Sequence, residues 1–289
     1  MQHNRMTTYI SLKVHRETMY SEGKLPERKS RMLYRHLEKR NGDKVDNDVF
    51  LAELAARALL TFIQRGITDY TAHDIHHSER VIEYVNLIID VMEKNGATFS
   101  EYEMKLLYVS GWLHDIGNLK KGARNNHAEE SCRMLKKLRS HGTVSRYLLH
   151  ALEFIIGYHQ SNMDLSRIPD APVYIERDKV RLRLLAAIFR LADNCDMGFE
   201  RADPMAYLLL KEDFNRTAQK HWEANHSIQS VQMDARNHRI IITIAPQRGS
   251  AKKAAFLIKK FKKEFKIIKP FLGAKFTIDN VEDVRAPRY

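Results

Sequence analysis

The chain has 289 residues, 44% of them hydrophobic and 29% charged, enough for one large domain or two small ones with a proper core. Its formal charge of +12 points to anionic partners (nucleic acid, acidic lipid or phosphorylated substrates) without choosing among them. Only two cysteines, Cys132 and Cys195, no apolar run near the roughly 20 residues of a membrane span and no apolar signal core in MQHNRMTTYISLKVHRETM argue against a disulfide framework, a thiolate zinc site, a membrane protein and a secreted one, so a reducing cytoplasm is the simplest compartment.

Residues 1–47 read as a polar, basic arm, with a helix expected around Glu27–Arg40 and a turn-like NGDKVDND stretch. From Asp48 to Ala202 the pattern is helical almost throughout. VFLAELAARALLTFI is one helix with Asp48 as its N-cap. SERVIEYVNLIIDVMEKNG is the next, stopped at Gly96. A third runs from Ser100 to Ile116, with Ser100 and Glu103 at capping-box spacing. Asn126–Ser140 and Ser145–Tyr158 follow. A loop containing Pro169 and Pro172 then leads to the apolar helix VRLRLLAAIFRLADNCD.

After Pro204 the period changes. SIQSVQMDARNHRIIITIA reads as two strands around a turn at Asp234–His238. A basic amphipathic helix from about Ala251 to Lys269 sets Leu257, Phe261 and Phe265 on one face and lysines on the other. Lys275–Asn280 reads as a third strand. The expected architecture is mainly α: a basic arm over 1–47, a helical domain over 48–204 and a small basic α+β domain over 205–289.

Chemistry concentrates in a few places. His114-Asp115, in SGWLHDIGN, sits where an apolar helix ends before Gly117. Adjacent imidazole and carboxylate at a helix terminus can turn to one point, and the carboxylate can bridge two cations. Such a dipeptide is common by chance, but it has company. His77 stands near a helix start in HHSERVIEYV, and Asp193 on an otherwise apolar helix. An unpaired carboxylate on a core-facing helix is costly, and a metal would remove that cost. A salt bridge to Arg190 or solvent exposure would remove it too. The ordered set His, His-Asp, Asp favours the metal.

With HSERV around the first histidine and RLAD around the last aspartate, residues 48–204 resemble the HD superfamily of metal-dependent phosphohydrolases. The resemblance implies an all-helical core, a divalent metal held by His77, His114, Asp115 and Asp193, and hydrolysis of phosphate esters or anhydrides. It also implies that His127, in NNHAEES, and His159, in GYHQS, complete a second site where two metals are bound. Without the resemblance, both are ordinary helix-end histidines. Asp115 would bridge the ions, and metal-bound hydroxide would attack phosphorus. Mixed nitrogen and oxygen ligands suit one or two ions of Mn, Fe, Ni, Co, Zn or Mg.

Supporting roles are assigned more loosely. His73-Asp74 resembles an extra pair found in a subset of the family: either residue orients His77 or contacts substrate, or Asp74 simply caps the helix. Lys120, Lys121 and Arg124 are placed to bind phosphate or to form a solvated loop. Arg80 and Arg190 brace the site or face solvent. The GYP signature of cyclic-dinucleotide phosphodiesterases and the P-loop pattern are both missing. The first expectation is therefore hydrolysis of a phosphorylated small molecule, a nucleotide above all. The alternative is a nuclease or nucleic-acid-processing enzyme drawing on the basic flanks, with no membrane role and with a homo-oligomer left open.

Overall fold

The computed structural model describes residues 47–66, 71, 73–175, 177–234, 236–273 and 280–285. The helix expected at Glu27–Arg40 lies outside them. Helix α1 (Asn47–Gly66) starts one residue before the expected cap. Asp48 is therefore in the first turn, where its carboxylate favours the helix dipole and takes Lys105 at 3.2 Å. Helix α2 (Ile75–Lys94) is capped by Asp74, whose Oδ1 accepts the His77 N–H at 2.9 Å. It closes just before Gly96, whose φ of 81° suits glycine. Its buried stripe of Val81, Val85, Ile88, Ile89 and Met92 faces the core.

Helix α3 (Glu101–Leu113) carries the expected capping box: Ser100 Oγ accepts from Glu103 N, and the Glu103 carboxylate accepts from Ser100 N, both at 3.1 Å. The helix was expected to reach Ile116 and stops at Leu113. The cause is Ser131, which donates to the His114 carbonyl at 2.5 Å and accepts the Gly117 N–H at 2.8 Å. Those are the backbone groups a continuing helix would use, so the chain turns into a 3₁₀ segment over Ile116–Leu119. Gly117 lets helix α4 (His127–Ser140) come that close, because a Cβ there would collide with the His127 carbonyl and the Ser131 amide.

Helix α5 (Arg146–Gly157) follows, with Ser145 as its cap. The proline-containing loop holds a short antiparallel hairpin, β1 (Val173–Ile175) with β2 (Asp178–Val180), too brief to leave a period in the sequence. Helix α6 (Leu182–Cys195) is the central column, with Leu185, Ala186, Ile188, Phe189, Leu191 and Ala192 fully buried. It packs against α2, α3 and α5.

Two helices unforeseen in the sequence come next, α7 (Pro204–Leu210) and α8 (Arg216–His226), capped by Asp203 and Asn215. The expected strands β3 (Ile228–Asp234) and β4 (Arg239–Ile244) pair antiparallel, Val231 opposite Ile242. Helix α9 (Ser250–Ile268) crosses over to β5 (Asn280–Arg285), which runs parallel to β4. Of the expected third strand, Lys275–Asn280, residues 275–279 lie outside the described residues. β5 pairs along the whole of β4, from Arg239↔Asn280 to Ile244↔Arg285. Leu257, Phe261 and Phe265 face inward as expected, and α9 packs on α6, α8 and β4. One buried cluster runs through both parts, joining Leu60, Leu113 and Phe189 with Ile242 and Phe261. The fold is mainly α, and among the described residues no helix is long and apolar enough to cross a membrane.

Candidate metal centre

Five helices end at one place. His77 stands in the first turn of α2, His114 caps α3 with Asp115 next to it, and His127 opens α4. His159 follows the end of α5, and Asp193 lies in the last turn of α6. The six fall into two groups, each able to gather around one ion: His77, His114 and Asp193, and Asp115, His127 and His159. His77 Nε2 is 3.0 Å from His114 Nε2, 3.3 Å from Asp193 Oδ1 and 3.4 Å from Asp115 Oδ2. His114 Nε2 is 3.4 Å from the same Asp115 oxygen. On the other side His127 Nε2 is 2.9 Å from His159 Nε2 and 3.4 Å from Asp115 Oδ1. Asp115 thus turns one oxygen toward each group.

The rings are oriented by their other nitrogens. His114 Nδ1 donates to the Gly111 carbonyl at 3.0 Å, and His159 Nδ1 to the Ile156 carbonyl at 2.6 Å. A carbonyl can only accept, so both rings carry their proton on Nδ1 and present a bare Nε2. His77 Nδ1 faces Asp196 Oδ2 at 2.6 Å, and Arg80 Nε holds the other Asp196 oxygen, also at 2.6 Å. The Gln160 amide fixes His127 through Nδ1 at 2.8 Å. Carboxylates and carbonyls behind ligand histidines are the usual means of fixing tautomer and ring plane at a metal.

The donor set fits a divalent cation. Atoms about 2.0–2.2 Å from a common ion lie roughly 3.0–3.6 Å apart, close to the 3.0, 3.3 and 3.8 Å within the first group and the 2.9 and 3.4 Å within the second. Asp115 Oδ2 is buried with no hydrogen-bond partner, although it faces two imidazoles. The electrostatics say the same. Burial and Arg201 would lower the His77 pKa, yet the carboxylates of Asp115, Asp193 and Asp196 facing its ring push it up to about 10: they demand a positive charge there. Burial would raise the Asp115 carboxyl, but the imidazoles around it, His114 first, hold it well below the usual range. Asp193 is held down in the same way, chiefly by His77. Burial, joined by His127, drops His159 to about 3. Burial lowers His114 as well. Both are therefore neutral, as ligands must be.

His77, His114 and Asp115 are almost wholly buried, while the side chains of His127 and Asp193 are 17% and 23% exposed. The open side of the centre lies between those two.

His73 lies beside His77, with ring centroids 5.5 Å apart and the rings tilted, but both its nitrogens are engaged, Nδ1 with the Thr71 carbonyl at 2.6 Å and Nε2 with Arg201 at 3.0 Å. Burial, then Arg201, brings its pKa to about 3. Asp74 is the helix cap, and His76 points outward to Glu79. Lys120 is tied to Glu130 at 2.7 Å, Lys121 is exposed, and the side chain of Arg124 lies outside the described residues. Arg80 braces the centre through Asp196. Arg190 pairs with Glu264 at 2.7 Å and not with Asp193.

Sequence reasoning passed over Asp196, Arg201, Gln160 and Ser131. A signal for Asp196 existed. It caps the C-terminal end of α6, where the helix dipole repels a carboxylate, so a partner was required.

Residues 67–267 match the model of the HD-CE family. The chain belongs to the HD-CE family. No curated protein matches it. The HD-CE match extends past the helical part through α7, α8, β3 and β4 and over most of α9. The His/Asp cluster with that match makes this an HD-type domain with residues that could hold a metal ion.

Proposed function

We propose that the chain is a metal-dependent phosphohydrolase acting on a phosphate ester or anhydride, with a nucleotide as the favoured substrate. The observation that carries this is Asp115, buried between two histidine pairs with one oxygen toward each. His77, His114, Asp115 and Asp193 are read as holding one ion and Asp115, His127 and His159 as holding a second, drawn from Mn, Fe, Co, Ni, Zn or Mg. When bound, such ions supply Lewis acidity, a nucleophile from water near neutral pH, and charge to offset that on the phosphoryl oxygens.

The chain's own residues do the positioning. Gly111, Ile156 and Asp196 lock three imidazoles with Nε2 inward. The buried floor of His77, His114 and Asp115 keeps bulk water from all but the open side, where a phosphoryl group would enter past Asp193 and His127.

A second reading, a nuclease, draws on the exposed lysines of α9: Lys252, Lys259, Lys260, Lys263 and Lys266. One screen tests both. Nucleotides, phosphate esters and oligonucleotides are offered with Mn, Mg, Ni and Co to the wild-type chain and to Asp115→Ala. The proposal expects turnover of free nucleotides, little changed by salt, that vanishes in the folded variant. Turnover confined to polynucleotides with steep salt dependence would favour the nuclease. Full activity in Asp115→Ala would overturn both.

A further inference from the structure

Helix α9 is rich in lysine and has one carboxylate, Glu264. That carboxylate is turned inward. Its side chain is 7% exposed, and Oε2 accepts from Arg190 Nε at 3.2 Å and Nη2 at 2.7 Å. Arg190, on α6, is completely buried. Its remaining reach goes to two backbone carbonyls, Met163 from Nη1 at 2.6 Å and Ser161 from Nη2 at 2.9 Å. All three guanidinium nitrogens are therefore engaged.

Ser161 and Met163 lie just after His159 and Gln160, the residue in the second group and the amide that holds its neighbour His127. Arg190 also sits one helical turn before Asp193. A single fork thus joins three things: the loop that continues from His159, the helix that bears Asp193, and the C-terminal helix.

We infer that Arg190 and Glu264 are positioning residues of the metal centre, and that the C-terminal segment serves the centre by closing the Asp115–His127–His159 half. This rests on the reading of His127 and His159 as ligands. The physics is direct. A guanidinium cannot stay buried without its counter-charge, so loss of Glu264 frees Arg190, and the Ser161 and Met163 carbonyls lose their donors together. The loop after His159 then loses the two contacts that tie Ser161 and Met163 to α6. In the other half the two imidazoles, His77 and His114, are oriented by Asp196 and by the Gly111 carbonyl, which the fork does not touch, and Asp193 is reached only through the backbone of α6. The family match, which runs to residue 267, takes in Glu264 along with the helical core.

Two variants of the full chain separate positioning from mere stability. Arg190→Lys keeps a buried pair with Glu264 but has no fork to span both carbonyls. The double variant Arg190→Met/Glu264→Leu removes both charges together, a replacement that buried pairs often tolerate with no loss of stability. Mn(II) binding is followed by isothermal titration calorimetry, with thermal melting of each metal-free protein as the control on folding. Wild type should take two ions. In both variants one ion should bind about tenfold more weakly, in line with lost outer-shell support, while the other stays within about twofold. Wild-type affinity for both ions in the folded variants would overturn the inference and leave the proposed function standing. Equal weakening of both ions would also overturn it. A wild-type chain that takes up no Mn(II) would remove the proposed function itself, and this inference with it.

Discussion

Asp196→Asn is the most informative single change outside the six proposed ligands. The side chain keeps its size and loses its charge. In the wild-type chain Asp196 accepts from His77 Nδ1 at 2.6 Å and from Arg80 Nε at 2.6 Å, and Arg201 Nε lies 3.7 Å away. Its carboxyl is held below the usual range: burial opposes this, and Arg80 and His77 outweigh burial. Two effects follow. First, the bond that orients His77 changes from charge-assisted to neutral, roughly half as strong. Outer-shell partners of ligand histidines are worth about 10–100-fold in metal affinity, or about 1.4–2.8 kcal/mol. Second, Arg80 and Arg201 lose their shared counter-charge. Breaking a buried pair costs about 3–5 kcal/mol, and the lower end applies because Arg80 keeps Glu200, at 3.5 Å. The assay pairs Mn(II) titration with urea unfolding of the metal-free protein. The expected result is a loss of at least tenfold in affinity for one ion together with about 3 kcal/mol of stability. A variant that loses stability yet binds as wild type would refute the assignment of Asp196 to His77, and would leave it a structural anchor for two arginines.

Two further outcomes are expected. Metal uptake at pH 8 should release at least one proton, because His77, raised to about 10, must shed the proton that His114 and His159, both lowered, do not carry. The sign for the metal-free fold runs the same way: the charged His77 contributes stability that is complete below its ordinary pKa and fades as pH rises toward about 10, while metal affinity climbs over that range. Calorimetry in buffers of different ionisation enthalpy counts the proton, and a count of zero contradicts the reading. Gly117→Ala should cost about 1–3 kcal/mol in a urea melt, since the new methyl meets the His127 carbonyl and Ser131 backbone, which can yield only by moving α4. A variant as stable as wild type would show that the helix start is not pinned there.

How much of this was legible in the sequence depended on distance along the chain. Asp193 stood out as a carboxylate on an otherwise apolar helix, while His77, His114 and Asp115 stood out through their order along the chain and the HSERV and HD contexts. The capping box at Ser100 and the inward face of α9 are equally local, and both were readable. The early end of α3 was not, because Ser131 imposes it through a contact 17 residues away. Nor was the partner of Arg190. Asp193 was the near candidate, and the structure chose Glu264, 74 residues on. The β1–β2 hairpin is too short for a period. Asp196 was within reach: two aspartates at the wrong end of one helix dipole imply two partners.

The central claim is that side chains from five helix ends form one two-ion centre. The direct measurement is anomalous diffraction at the manganese edge from a crystal of the full chain grown with Mn(II). Two peaks are expected flanking the Asp115 carboxylate, one among His77, His114 and Asp193, the other beside His127 and His159. Empty density between those side chains at saturating Mn(II), or an ion bound only elsewhere, would contradict it.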